Sequence, residues 1–176
     1  MNKTELLDNV LSFSPQIDPT AFIAAGTQMV GNVTVKGFAS IWYNCVLRGD
    51  INAIEVGEKT NIQDGSILHV ENARDCRIGN YVTVGHGAIL HACTIQDGCL
   101  IGMGAIVLSG AVIKRGSIVG AGTLVKEGEI FEENSLIIGI PAKRVKDVPS
   151  GTYDQNLRWA EKYAKLAQVY LKKGQR

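Results

Sequence analysis

The chain has 176 residues, a formal net charge of +1, 20% charged and 6% aromatic residues, and 20 glycines. That length suffices for one domain with a real core, and its interspersed acids and bases exclude a basic face for nucleic acid. No apolar run reaches membrane-spanning length, and Glu5 and Asp8 interrupt the N-terminal apolar stretch where a secretory leader would be continuous, so a soluble cytoplasmic protein with no nucleic-acid or membrane partner is expected.

In chain order, residues 1–28 read as a lead-in that caps the first coil: Leu6, Leu7, Val10, Leu11 and Phe13, then Ser14-Pro15 and Asp18-Pro19. From Met29 a period of six sets in. Met29, Val35, Ile41, Leu47 and Ala53 form one column, with Val33, Ala39, Cys45 and Ile51 four residues after the first four. The frame shifts by three, resumes at Val56, Ile62 and Leu68, and continues after a short insert at Ile78, Val84 and Leu90. A second register runs unbroken through Ile95, Ile101, Val107, Ile113, Val119, Val125, Phe131 and Ile137, and the positions four residues after the first seven are small, Glu129 excepted.

A helix needs apolar spacing of three to four and a flat sheet alternates by two. Six fits a short strand plus a turn, three to a coil, giving a triangular parallel β-helix whose coils stack about 4.8 Å apart. Gly31, Gly37, Gly57, Gly79, Gly85, Gly102 and Gly120 are expected at the corners. The fold class is therefore an all-β solenoid over residues 29–141. Cys45, Cys76, Cys93 and Cys99 each stand two residues before a column aliphatic and are expected to point inward as small core filler. Residues 142–176 read as a linker followed by an amphipathic α-helix packed on the coil, its apolar face made of Trp159, Tyr163, Leu166, Ala167 and Tyr170.

All three histidines fall between Ile67 and His91. His69 and His91 each close an Ile-Leu-His tripeptide, and each follows a column leucine, so both point outward from one face of adjacent coils. Stacked about 4.8 Å apart, both imidazoles can reach one ion with Zn–N bonds of about 2.0 Å. His86 lies one hexad earlier, near a corner, and the five residues to His91 can span about 17 Å, which points to a ring in which a neighbouring copy supplies it. A homotrimer with interfacial metal sites is expected. Three neutral imidazoles leave one coordination position open, the arrangement that yields a hydroxide nucleophile near pH 7. Arg48 and Asp50 occupy outward or corner positions suited to an ion pair across the seam, and Gln63 and Asp64, one hexad before His69, could orient water or bicarbonate.

Asn44-Cys45-Val46-Leu47-Arg48-Gly49-Asp50, Thr60-Asn61-Ile62-Gln63-Asp64, Val84-Gly85-His86-Gly87-Ala88-Ile89-Leu90-His91, Ile101-Gly102-Met103-Gly104-Ala105 and Gly139-Ile140-Pro141-Ala142-Lys143 occur in order at fixed spacing. Together they resemble the γ-class carbonic anhydrase family of left-handed β-helix proteins. The resemblance spans roughly residues 12–172 and implies the left hand of the coil. It implies metal ligands at His69, His86 and His91, Arg48 and Asp50 at the subunit seam, Asn61, Gln63 and Asp64 near the bound water, and Tyr153 as an active-site tyrosine. It further implies Zn2+, with Fe2+ or Co2+ as alternatives, and reversible hydration of CO2 to bicarbonate. Two departures stand out. Ile51 replaces a glutamate that follows the Arg-Gly-Asp in the family, and Glu71-Asn72-Ala73-Arg74-Asp75 replaces a longer acidic loop, so the groups that export the proton are reduced. Competing expectations are a hexapeptide-repeat acyltransferase or thioesterase, which would bind an acyl-coenzyme A in preference to metal, and a metal-binding homologue without turnover.

Overall fold

Two-residue strands alternating with four-residue turns are what β-branched pairs repeated every six residues produce. The computed structural model describes residues 12–174, and the lead-in residues Leu6, Leu7, Val10 and Leu11 lie outside them. The strands stack in parallel into the three walls of a prism, with one C-terminal helix, the arrangement of a hexapeptide-repeat left-handed β-helix. One wall, here the helix face, stacks seven parallel strands: Phe22–Ile23, Ser40–Ile41, Asn61–Ile62, Thr83–Val84, Leu100–Ile101, Ile118–Val119 and Ser135–Ile138. These number the turns of the coil. The next wall, the histidine face, contains Ile67–His69, Ile89–His91, Ile106–Val107 and Leu124–Val125. The third, the open face, contains Cys76–Ile78, Thr94–Ile95, Val112–Ile113 and Ile130–Phe131.

The three-residue frame shift has a structural cause. Val46–Val56 is a single eleven-residue strand that bends round a corner, its first residues pairing with Ile67–His69 and its last with Cys76–Ile78. Ile54, not Ala53, therefore fills the prism there; Ala53 is only half-buried. Met29, at the first turn, is only partly buried, but Leu47, Leu68, Leu90, Ile62, Val84 and Ile101 have no exposed surface, each worth about 1.5–3 kcal/mol of burial. All four cysteines are buried and free, packed among these aliphatics as expected.

The corner glycines act differently from expectation. Of the seven named, only Gly31 has a positive φ. Gly57 is required by crowding between turns, since a Cβ there would lie 2.3 Å from the Gly79 carbonyl oxygen. The left-handed conformation falls instead at positions such as Gly87 and Gly104, each with open space around it.

The tail also differs. The linker contains a strand, Lys143–Asp147, antiparallel to Ser135–Ile138, which closes the end of the helix face with an exposed, Lys- and Arg-bearing edge. The helix, Thr152–Lys172, lies along the helix face on small and polar residues: Thr152, Asn156, Ala160, Ala164 and Ala167 are buried. Asn156 Nδ2 donates to the Gly98 carbonyl at 2.9 Å and Gln168 Nε2 to the Thr20 carbonyl at 2.8 Å. Tyr163 and Tyr170 pack against Trp42, as an expected apolar face would, but Trp159 and Leu166 remain 44% and 42% exposed. Among the described residues no helix is long and apolar enough to cross a membrane.

Candidate metal centre

Register places the functional side chains in a row. Leu47, Leu68 and Leu90 pair across three turns and point into the prism, so the residues that follow them, Arg48, His69 and His91, share the outer surface of the histidine face. The imidazoles of His69 and His91 have centroids 5.1 Å apart, and His91 Nε2 lies 3.1 Å from His69 Nδ1. Each ring is held from behind. Ser109 Oγ lies 2.9 Å from His91 Nδ1, and Asp50 Oδ1 lies 3.3 Å from His69 Nε2.

Asp50 is in turn hydrogen-bonded by the Arg48 guanidinium. Burial alone would raise its carboxyl pKa, but the bond and charge of Arg48, with the bond from His69, hold it below the usual carboxylate value. Burial, aided by the Arg48 charge, pushes His69 below the usual imidazole value. That shift favours the neutral ring, the form that offers a lone pair. With their outer nitrogens engaged by Asp50 and Ser109, the two rings bring their remaining nitrogens within 3.1 Å of each other. Two bonds of about 2.0 Å meeting at a tetrahedral angle would separate the nitrogens by about 3.3 Å, close to the spacing found, so the pair fits a metal such as zinc.

The second group stands on the opposite edge of the histidine face, at the corner shared with the helix face. His86 Nδ1 lies 2.7 Å from Asp64 Oδ2, both half-exposed. Asn61, fully buried, donates from Nδ2 to Thr83 Oγ1 at 2.9 Å and accepts from Gln63 Nε2 at 3.2 Å, which satisfies amides that could not otherwise be buried. Tyr163 faces this corner from the helix. Its hydroxyl pKa is raised by burial and, secondarily, by the charge of Asp64.

One chain thus carries two half-sites. Arg48, Asp50, His69 and His91 form one, and Asn61, Gln63, Asp64 and His86 the other. Among the described residues no three His, Cys, Asp or Glu side chains gather as a metal site within the chain. Tyr153 joins neither. It packs under the Arg115 guanidinium, 4.2 Å from the ring centroid, and over Gly98 and Gly116, at the corner between the helix and open faces. Of the helix tyrosines, Tyr163 is the one that senses the charge of Asp64. Nothing in the sequence singles it out, whereas Ser109 stands one 18-residue coil after His91 and the repeat could have found it.

The family model for bacterial transferase hexapeptides (six repeats) matches residues 92–127. A carbonic anhydrase of Geobacillus kaustophilus is 40% identical over 157 residues, covering 89% of this chain and 86% of that protein. Gamma carbonic anhydrase 1, mitochondrial, of Arabidopsis thaliana is 42% identical over 103 residues, 55% of this chain but only 38% of the plant protein's length. Among solved structures, a hexapeptide transferase family protein from Anaplasma phagocytophilum superposes with a TM-score of 0.86 at 43% identity, over 90% of this chain and 93% of that one.

Proposed function

The chain belongs to the γ-class carbonic anhydrase family, and from that premise we propose that it hydrates CO2 reversibly at a divalent metal held by His69 and His91 of one copy and His86 of a neighbour. A zinc ion in such a three-imidazole site lowers the pKa of a bound water to about 7 and so supplies a nucleophile at neutral pH. The chain's own residues do the rest. Asp50 and Ser109 fix the tautomers and aim of His69 and His91, and Asp64 does the same for His86 through Nδ1. Gln63, its amide anchored by Asn61, stands beside Asp64 to orient the attacking water or the bicarbonate product. Three histidine faces turned toward a three-fold axis bring the left edge of each copy to the right edge of the next, uniting the half-sites three times.

Proton export is the weak step. The loop acids Glu71 and Asp75 are paired with Arg74 and Arg77, and Ile51 offers no proton acceptor. Turnover should therefore depend on external buffer. The observation that carries the proposal is the 3.1 Å approach of His69 Nδ1 and His91 Nε2, each ring braced on its other nitrogen. Metal content and stopped-flow CO2 hydration of the wild type and His91→Ala test it. Loss of both metal and hydration in the variant is expected, and equal rates would refute the reading. Acyl transfer, the reading that the hexapeptide transferase neighbour keeps in view, predicts acyl-coenzyme A binding that metal chelation leaves intact.

A further inference from the structure

The wall beneath the helix is polar where packing alone would make it apolar. Its outward column, in register from the second turn to the seventh, reads Ser40, Asn61, Thr83, Leu100, Ile118 and Leu136. Aliphatic side chains serve in the last three turns. In the third and fourth, Asn61 and Thr83 are buried at 0% and 5% exposure, although a buried amide and hydroxyl cost desolvation that an aliphatic pair would avoid. These are also the turns of His69 and His91, and the interval of 22 residues is the same in both pairs.

The two residues begin a directed relay. Asn61 Nδ2 donates to Thr83 Oγ1 at 2.9 Å and lies 3.4 Å from the Val82 carbonyl oxygen. A threonine hydroxyl can accept or donate, so by itself it would tolerate either orientation of the amide. A carbonyl oxygen only accepts, so Val82 requires Nδ2 on its side and leaves Oδ1 facing away. That Oδ1 accepts from Gln63 Nε2 at 3.2 Å. With its nitrogen engaged, Gln63 is left with Oε1, for which no donor is found among the described residues. Gln63 adjoins Asp64, and its neighbour in the fourth turn is Gly85, which contributes no side chain between it and the His86 corner.

We propose that Thr83 is a positioning residue, whose hydroxyl fixes the Asn61 amide so that Gln63 presents an oxygen, and not an N–H, at the His86 edge. Such an acceptor suits a ligand that offers an O–H, as water and bicarbonate do. Thr83 reaches the site only through Asn61 and Gln63. The inference rests on the function proposed above, and its experiment separates the two.

Thr83→Val removes the hydroxyl at nearly constant shape, and Thr83→Ser keeps it. In the metal-free full chain, exchange of the Asn61 side-chain amide protons, followed by 15N–1H NMR, should rise at least about tenfold in Thr83→Val and stay near wild type in Thr83→Ser. In the metal-loaded protein, kcat/KM for hydration should fall about tenfold in Thr83→Val at unchanged metal content, and Thr83→Ser should restore most of it. Unchanged exchange, a wild-type rate in Thr83→Val, or a Thr83→Ser no better than Thr83→Val would each overturn the assignment. A fall in metal content that matches the fall in rate would place the effect on the metal ligands and overturn it too. Absence of hydration by the metal-loaded wild type would refute the proposed function instead, and the exchange comparison would still decide whether Thr83 holds the relay. Should Thr83→Val fail to fold, Thr83→Ala takes its place in both measurements.

Discussion

If each metal is shared between edges of neighbouring copies, two variants that are each inactive must rescue one another. His86→Ala keeps the His69 and His91 edge and loses the other; His91→Ala does the reverse. In either pure variant every site lacks an imidazole. When the two are co-expressed with different affinity tags, a site forms wherever the intact pair of a His86→Ala chain meets the His86 of a His91→Ala chain. A trimer of either mixed composition has one such junction among three, so doubly tag-purified trimers should carry about one third of wild-type metal and of the hydration rate, and an unsorted 1:1 population about one quarter. Elemental analysis and stopped-flow hydration on the same preparation measure both. Mixed trimers with no more metal than either parent would refute the shared site, as would full metal content in pure His86→Ala.

Removing the hydroxyl behind His91 in Ser109→Ala should weaken metal binding by about 10- to 100-fold in a chelator competition while leaving the fold intact, and a change below twofold would deny Ser109 its bracing role. Leu90→Ala opens a cavity directly beneath the histidine row and should cost about 2–5 kcal/mol in denaturant unfolding; a loss under about 1 kcal/mol would mean the prism collapses to fill it. Burial pushes the Cys45 thiol up to about 11 and Cys99 up to about 12. All four thiols are buried, so at pH 8 the native chain should leave them unmodified by a disulfide reagent that titrates all four in denaturant, and one rapidly reacting thiol in the native state would contradict the packing.

The prism was legible because burial in a hexad coil is dictated one position at a time: Ile95 to Ile137 stack just as their spacing requires. The row of His69 and His91 followed from the leucines that precede them. Where the chain departs from strict hexads the reading slipped, at Ala53 and Ile54, because a strand that bends through a corner obeys the partner turn and not its own period. The helix misled in a different way. Its large residues suggested the packed face, yet a helix lying flat on a wall approaches most closely through alanines, which leaves Trp159 and Leu166 outside. Tyr153 and Tyr163 could not be ranked from the sequence, since the choice depends on which corner each part of the helix overlooks.

His69 and His91 are matched across adjacent strands although 22 residues separate them, where the later turns need only 17 or 18. The surplus is spent wholly in the bulge at 71–75. Ligand spacing is thus decoupled from tether length: residues grafted at Ala73 could remodel the rim, its charge or its proton acceptors, while the imidazole pair stays where the ladder beneath it is pinned.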